Sequence, residues 1–527
     1  MSQATTGNAK APLANVLLIV VDQWRGEALG RLSAAHALTP NLDRLAARGV
    51  TFARHFAQAA PCAPARASLL TGQYMMNHRV VTNGVPLDQS HTHLAREIRR
   101  AGGDPALIGY TTTTRDPRVV GFGDIGFTRM GEPGEGWTVI GDFAEEEHLE
   151  YLAWVRRRDP ASTATSMRDL WAPTEATGRP NDSPSLVPAE HSDSRWASEH
   201  ALDYLATRRD RPWFLHLGFL RPHPPFSAPH PYNRLVDPAL LPPVRRAATP
   251  EEECGGHPAT AFFHAVLPMS SFIIGGEGKV AGMTEAELDG LRRSYYGLIA
   301  EVDAEIGRVL DFLEASDQAE NTLIVFTSDH GEQLGDHHLL GKCGFYDESY
   351  HIPLIIADPR ETANATRGRI VRGLTESVDV MPTILEWLGL PVPISCDGHS
   401  LLPLLHGEVD AKTREAAHFE FSLRIGFPYA KLLPPGLDWR DAELAVLRTE
   451  RYKYVHFPTW PPVLFDLQED PGEFRNRADD PACREIALDM ARQMLSWRMR
   501  QADRTLSRYT SSRHGLYDFA TGTAAPG

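Results

Sequence analysis

Short apolar runs rich in β-branched residues recur along this chain of 527 residues. Runs of this kind are typical of buried strands, and the segments between them carry apolar residues at the spacing of amphipathic helices. Such alternation indicates an α/β fold, with a central, mostly parallel sheet flanked by helices. The predicted strands cover residues 16–21, 213–219, 322–328 and 353–357, and the predicted helices cover residues 41–48, 197–206 and 285–313.

Shifts in composition divide the chain further. We predict a polar N-terminal segment over residues 1–14, a large α/β domain over 15–401, a smaller α+β domain over 402–509 and a loosely structured tail over 510–527. Two irregular stretches, at about 133–194 and 240–278, are expected to be insertions that serve as lids or oligomer contacts. The smaller domain should contain short antiparallel strands over 444–454 and 463–467 and a helix over 483–500.

Three residues of metal-binding types follow two of the predicted strands. Asp22 comes directly after the first run, and Asp329 and His330 come directly after the third. Sites in parallel α/β sheets lie beyond the carboxyl ends of strands, although an isolated aspartate there is equally well explained as a strand-end cap. Carboxylates suit a hard divalent cation, and imidazole also tolerates Mn²⁺, Fe²⁺ or Zn²⁺.

Charge and cysteine content narrow the partners. Lys and Arg number 53 against 68 Asp and Glu, which gives a formal charge of −15. The sequence has no run of basic residues that could bind along a phosphate backbone. We therefore expect no nucleic acid partner. The N-terminus has no apolar run near the ~20 residues that cross a bilayer, so we expect no membrane partner. Five scattered cysteines predict a reducing, cytoplasmic location.

A cysteine, a proline and an arginine at alternate positions form the most specific motif, Cys62-Ala63-Pro64-Ala65-Arg66. Together with the six residues that follow, it resembles the signature of the sulfatase family, C-x-P-x-R. Taken alone, the pattern is more often a buried structural cysteine before a helix. The resemblance implies that a formylglycine-generating or sulfatase-maturating enzyme converts Cys62 to Cα-formylglycine, whose hydrate is the nucleophile. It also implies that Arg66 contacts that hydrate or a substrate oxygen.

The same resemblance implies a site for one divalent cation. Its ligands would be residue 62 with Asp22, Gln23, Asp329 and His330, and Mn²⁺ is the first expectation, with Ca²⁺, Zn²⁺ or Fe²⁺ as alternatives. The pair Asp22-Gln23 replaces the Asp-Asp of most sulfatases, and His330 replaces a common Asn. Both departures are similar to a narrower group, the phosphonate monoester hydrolases.

Further motifs resemble that group and imply substrate contacts. Asn83, Tyr110 and Thr112 would bind the substrate, and the hydroxyls of the last two stand where ordinary sulfatases place cationic side chains. A less positive pocket favours a monoanionic ester with a second organic substituent. His223, otherwise an incidental histidine of a proline-rich loop, would contact the substrate or leaving group. Lys342, otherwise a solvated surface lysine, would offset charge on the leaving oxygen.

The resemblance thus implies a metal-dependent hydrolase of phosphonate monoesters and phosphodiesters, with sulfate ester hydrolysis as a promiscuous activity. The alternatives are an arylsulfatase or other sulfate ester hydrolase and, from a different class, a non-catalytic scaffold relative. A small anionic ester is the expected substrate. A homotetramer is the oligomeric state that the resemblance implies.

Overall fold

We describe the protein from a computed structural model. The residues described are 14–32, 38–113, 135–143, 149–409, 411–424, 433–434, 436–503, 507–512, 515–519 and 523–524. The polar segment predicted over residues 1–14 lies almost entirely outside them. Within these ranges, each helix is too short or too polar to cross a bilayer.

The strands differ widely in length, from two residues to nine. In chain order they are β1 Asn15–Asp22, β2 Val50–Phe56, β3 Ala59–Ala60, β4 Pro105–Gly109, β5 Thr138–Asp142, β6 Phe214–Pro222, β7 Thr322–Ser328, β8 His351–Ile352, β9 Leu354–Ala357, β10 Ile370–Glu376, β11 Ala416–Ser422, β12 Glu443–Thr449, β13 Tyr452–His456, β14 Val463–Asp466, β15 Tyr509–Ser512, β16 Gly515–Asp518 and β17 Thr523–Ala524.

The helices follow the same order. They are α1 Pro40–Arg48, α2 Cys62–Thr71, α3 Met75–His78, α4 Leu94–Arg100, α5 Leu149–Arg158, α6 Met167–Trp171, α7 Asp193–Ala206, α8 Pro258–Val266, α9 Glu285–Ala315, α10 Asp347–Tyr350, α11 Val380–Trp387, α12 Leu402–Leu405 and α13 Arg484–Gln501. The longest, α9, begins at a capping box in which Thr284 and Glu287 bond each other's backbone N–H groups.

The central sheet has the order β10-β2-β9-β7-β1-β6-β4-β5, with β8 added beside β2. The pairs β7/β1, β1/β6, β6/β4 and β4/β5 are parallel, which confirms the predicted fold class. β9 runs antiparallel between β2 and β7. Strand β1 is buried along its whole length because helices cover both faces of the sheet.

The smaller sheet has the order β14-β13-β12-β11-β3. β11 to β14 form the antiparallel meander expected of the C-terminal region, and α13 packs on it through Met490, Met494 and Trp497. The edge strand β3 comes from the other end of the chain and pairs parallel to β11, two residues before Cys62. The predicted boundary at residue 401 therefore does not separate the sheets.

The C-terminal tail differs from the loose structure that we predict. Its described residues form a small antiparallel sheet, β15-β16-β17. The pairing is between strands a few residues apart in sequence, so it needs no distant core to specify it.

Candidate active site

Four neighbouring parallel strands, β7, β1, β6 and β4, end at one place. Asp22 is the last residue of β1, and Asp329 follows β7. His223 follows β6, and Tyr110 follows β4. Because Val21 is in register with Ser328, the carboxyl ends of β1 and β7 lie side by side. The structure thus brings together residues that are far apart in sequence, at the sheet edge predicted for a site.

Four buried side chains form a cluster with the geometry of a metal site. Asp22, Cys62, Asp329 and His330 place one ligand atom each within 4.8 Å of one another. Nε2 of His330 lies 3.2 Å from Sγ of Cys62 and 3.6 Å from Oδ1 of Asp22. Nδ1 of His330 lies 3.0 Å from the carbonyl oxygen of Gly331. A carbonyl only accepts hydrogen bonds, so Nδ1 carries the proton and Nε2 presents a lone pair to the cluster.

The charges of this cluster fit a divalent cation. Burial and the adjacent Asp22 carboxylate raise the pKa of Asp329. Burial alone would raise the pKa of Asp22 as well, but His223, which is protonated in acid, and the ammonium of Lys342 hold it well below its usual range. The carboxylates of Asp22 and Asp329 are each 1% exposed, and the imidazole lone pair of His330 lies beside them. This set of donors suits a divalent cation that accepts both oxygen and nitrogen ligands.

Arg66 is engaged by the carboxylates themselves. Its Nε donates to Oδ2 of Asp329 at 2.9 Å, and its Nη2 donates to Oδ2 of Asp22 at 3.3 Å. Nη1 donates to the carbonyl oxygen of Tyr110 at 2.9 Å, and the side chain is 1% exposed. The resemblance implies that Arg66 contacts the hydrate of residue 62 or a substrate oxygen, and in the structure it bonds the two predicted metal ligands.

Cys62 is the first residue of α2. The thiol is 5% exposed and opens on a cavity. Burial and the charge of Asp22 raise the pKa of the thiol well above its ordinary value. The N-terminal end of α2 carries backbone N–H groups and the positive end of the helix dipole, and it therefore favours an anion next to residue 62.

A chain of hydrogen bonds connects Lys342 to Glu332 through Gln23, the residue after Asp22. Lys342 donates to Oε1 of Gln23, and Nε2 of Gln23 donates to Glu332. Gln23 has φ of +71°, a strained value for a residue other than glycine, and the bonds at both ends of its side chain hold it there. In this arrangement the side-chain oxygen of Gln23, a predicted metal ligand, binds Lys342 instead.

Glu332 is a site residue that sequence reasoning missed. Its Oε1 accepts from the backbone N–H groups of Leu334 and Gly341, and so it fixes the loop that carries Lys342. Burial would lower the pKa of Lys342, but the neighbouring Cys62 and Asp22 raise it, so the ammonium stays charged. The available signal was position, since Glu332 lies two residues after His330.

The predicted substrate-binding residues form a neutral wall beside Cys62. The Tyr110 hydroxyl donates to Oδ2 of Asp22 at 2.6 Å. Thr112 has φ of +54°, and its buried hydroxyl finds no hydrogen-bond partner within the described part of the chain. The side-chain oxygen of Asn83 accepts from the backbone N–H of Ala63 at 2.9 Å, which leaves the amide N–H groups of Asn83 to meet an anion.

His223 lies in a loop whose carbonyl oxygens are hydrogen-bonded by the side chain of Arg221. Nδ1 of His223 is 2.7 Å from the carbonyl oxygen of Pro224, so this nitrogen carries the proton. Burial and the charge of Lys342 lower the pKa of His223 to about 4, and the imidazole is neutral near pH 7. Arg221 donates to the carbonyl oxygens of His223 and Pro225 and to Asp193.

Two cavities open at the site, the larger beside Asp22 and Cys62 and the smaller beside Gln23 and Lys342. The larger has a volume of about 580 Å³ and the smaller about 250 Å³. Both predicted insertions supply their walls. Residues Phe143, Ser166, Met167, Arg168 and Trp171 of the first insertion line the larger cavity, and the second insertion supplies Ser270, Ser271, Ile273 and Ile274 to the larger and Phe263, Leu267, Ser271 and Phe272 to the smaller.

Comparison with known proteins gives consistent matches. The family model described as Sulfatase matches residues 14–390, and the model for the C-terminal region of N-sulphoglucosamine sulphohydrolase matches residues 335–500. The "Multifunctional alkaline phosphatase superfamily protein PehA" of Trinickia caryophylli is 47% identical over 510 residues, which cover 95% of this chain and 98% of that protein.

A solved structure and a second relative extend the likeness. The crystal structure of the phosphonate monoester hydrolase of Agrobacterium radiobacter has a TM-score of 0.90 at 41% identity, with 96% of this chain and 99% of that chain covered. An arylsulfatase of Clostridium perfringens is 28% identical over 499 residues, 91% of this chain and 93% of that protein. The chain belongs to the sulfatase family, and it is a hydrolase that acts on ester bonds.

Proposed function

We propose that this protein is a metal-dependent hydrolase of phosphonate monoesters and phosphodiesters, with aryl sulfate hydrolysis as a promiscuous activity. The observation that carries the proposal is the neutral wall beside Cys62. Tyr110 and Thr112 bring hydroxyls to the cavity, and Arg66 is already bound to two carboxylates. Because the side chains of this wall carry no positive charge, the position beside residue 62 suits a monoanionic ester better than a dianion. The likeness to proteins named as phosphonate monoester hydrolases supports the same class.

Cys62 and its neighbours fit the two groups that sulfatases use. An aldehyde at position 62 supplies, in hydrated form, the hydroxyl that attacks phosphorus or sulfur. A divalent cation would be held by residue 62 with Asp22, Asp329 and His330, and it would lower the pKa of that hydroxyl and offset the charge of the ester. Mn²⁺ is our first choice, and Gln23 would join the ligands if its bond to Lys342 opens.

The remaining site residues act on the substrate. Asn83 and Thr112 donate hydrogen bonds to the non-bridging oxygens, and Lys342 keeps its proton and faces the oxygen that leaves. His223 holds its proton on Nδ1 and presents the lone pair of Nε2 to the substrate. The buried Arg66 stays paired and keeps both carboxylates aimed at the cation.

The proposal includes the protein's setting. A maturating enzyme oxidises Cys62, the enzyme assembles as a homotetramer in the cytoplasm, and neither nucleic acid nor membrane takes part. Unpaired cysteines support a reducing compartment, because all five are free and four of these are buried. Size-exclusion chromatography with light scattering tests the tetramer.

Mass spectrometry of the Cys62 peptide, followed by substrate profiling, tests the proposal. Oxidation to the aldehyde removes about 18 Da from that peptide. The same preparation is then compared on a phenyl phosphonate monoester and on phenyl sulfate, with Cys62→Ala as the control. We expect the higher kcat/KM for the phosphonate ester. A clear preference for the sulfate would favour an arylsulfatase instead, the activity that the Clostridium perfringens relative is named for.

A further inference from the structure

We propose that the two cavities divide the substrate: the smaller binds the alcohol that leaves, and the larger binds the organic substituent that stays on phosphorus. This inference rests on the proposed function and deepens it. The cavities adjoin each other because they share part of their lining, namely Asn83, His223, Pro224 and Ser271.

The residues that they do not share give the assignment. Cys62 and Asp22 line the larger cavity, whereas Lys342 and Gln23 line the smaller. In an in-line displacement, the attacking and leaving oxygens stand on opposite sides of phosphorus. Attack therefore comes from the side of residue 62, and the leaving oxygen points toward Lys342.

The chemistry of the step agrees with this direction. A bond forms between phosphorus and the attacking oxygen, and the bond between phosphorus and the alcohol oxygen breaks with its electron pair going to that oxygen. The proton lost by the attacking hydroxyl balances the proton that the alcohol gains. Lys342 lines the smaller cavity, on the side where negative charge develops on the alcohol oxygen.

The walls indicate what each cavity accepts. Phe263, Phe272 and Phe421 surround the smaller one, which suits an aromatic alcohol. The larger combines the apolar surfaces of Trp171 and Ile274 with serine hydroxyls, and it has more than twice the volume. A sulfate monoester has no second organic group, so it leaves the larger cavity unfilled.

Two tryptophan substitutions test the division. Ile274→Trp narrows the larger cavity and Thr82→Trp narrows the smaller, and both positions are half-buried. The substrates are phenyl phenylphosphonate, phenyl methylphosphonate and phenyl sulfate, which share one leaving group. Ile394→Trp and Thr362→Trp, at exposed positions, are the matched controls.

For Ile274→Trp, we expect kcat/KM for the phenylphosphonate to fall about tenfold relative to the methylphosphonate, because only the retained group differs. Thr82→Trp should lower kcat/KM for all three substrates by similar factors, because they share one leaving group. The assignment would be overturned if Thr82→Trp discriminated between the two phosphonates and Ile274→Trp lowered kcat/KM equally for all three substrates. Wild-type enzyme that hydrolyses phenyl sulfate but neither phosphonate would instead refute the proposed function.

A crystal structure of the Cys62→Ala protein with phenyl methylphosphonate gives a readout that does not depend on turnover. We expect the phenyl ring among Phe263, Phe272 and Phe421, with the methyl group toward the larger cavity. A phenyl ring beside Trp171 would overturn the assignment.

Discussion

The hydroxyl of Tyr110 donates a 2.6 Å hydrogen bond to Oδ2 of Asp22, and the Tyr110 ring stacks on the guanidinium of Arg66 at 4.2 Å. One side chain therefore touches a predicted metal ligand and the arginine that orients it. Partners of this kind fix the direction of a ligand and tune how strongly it binds.

Replacing Tyr110 should weaken metal binding. In Tyr110→Phe the ring remains and only the hydroxyl is lost, so Asp22 loses an oriented donor. We expect the affinity for a divalent cation to fall about 10- to 100-fold. Calorimetric titration of the metal-depleted protein measures this, with Tyr452→Phe as the control. Unchanged affinity together with a raised KM would show that the hydroxyl serves the substrate alone.

Lys342→Gln should act through the leaving group. In our proposal the ammonium faces the leaving oxygen. Its loss therefore lowers kcat most when the leaving alcohol has a high pKa. We expect kcat to fall about 100-fold or more for a phenyl ester, and much less for a nitrophenyl ester. Steady-state kinetics on both esters gives the comparison, with the exposed Lys279→Gln as the control. Equal losses on both esters would contradict the role.

Arg221→Met should impair catalysis through the loop of His223. Arg221 is 2% exposed, pairs with Asp193 and lies over the Trp171 ring at 4.3 Å. Breaking a buried ion pair costs about 3–5 kcal/mol, so a drop in the free energy of unfolding accompanies the loss of kcat.

A double-mutant cycle separates these two effects of Arg221. Once His223→Ala has removed the imidazole, Arg221→Met should lower kcat little further, while it still lowers stability. The exposed Arg234→Met is the control. Additive losses in kcat would mean that Arg221 supports the site by another route.

The stability of the protein should depend on pH through Glu301. Burial and the neighbouring Asp193 raise the pKa of Glu301 to about 8, against about 4.3 in an unfolded chain. Between these values the folded state holds a proton that the unfolded state releases. The free energy of unfolding therefore falls as the pH rises through this window, by up to about 5 kcal/mol.

Glu301→Gln removes this titration. The variant should lose less stability than wild type between about pH 5 and pH 8. Urea denaturation at several pH values measures the slopes, with the exposed Glu320→Gln as the control. Parallel slopes in wild type and variant would contradict the prediction.

The ends of β1 and β7 were predictable as parts of the site, because Asp22 and Asp329 each directly follow an apolar run. The direction of a strand was not, since β9 is an apolar run like β7 and yet runs antiparallel to it. Direction depends on how a connection returns to the sheet. An apolar pattern does not record that.

Contacts between residues far apart in the chain could not be predicted from the sequence either. Gln23 and Glu332 are 309 positions apart, and nothing in either segment indicates their hydrogen bond. We predict that the insertions serve as lids or oligomer contacts because their composition is irregular. They line the cavities because their few apolar side chains, such as Trp171 and Phe272, pack inward.

The pairing of β3 with β11 has a consequence for biosynthesis. Residue 62 leaves the ribosome long before β11 is made, since 354 residues separate Cys62 from the start of that strand at Ala416. At about 5–20 residues per second, that interval is about 20–70 seconds. The maturating enzyme that we propose would have this interval in which to reach Cys62 in an unfolded chain. In the folded protein Cys62 is 5% exposed, so we expect the timing of translation to affect the fraction of molecules that is modified.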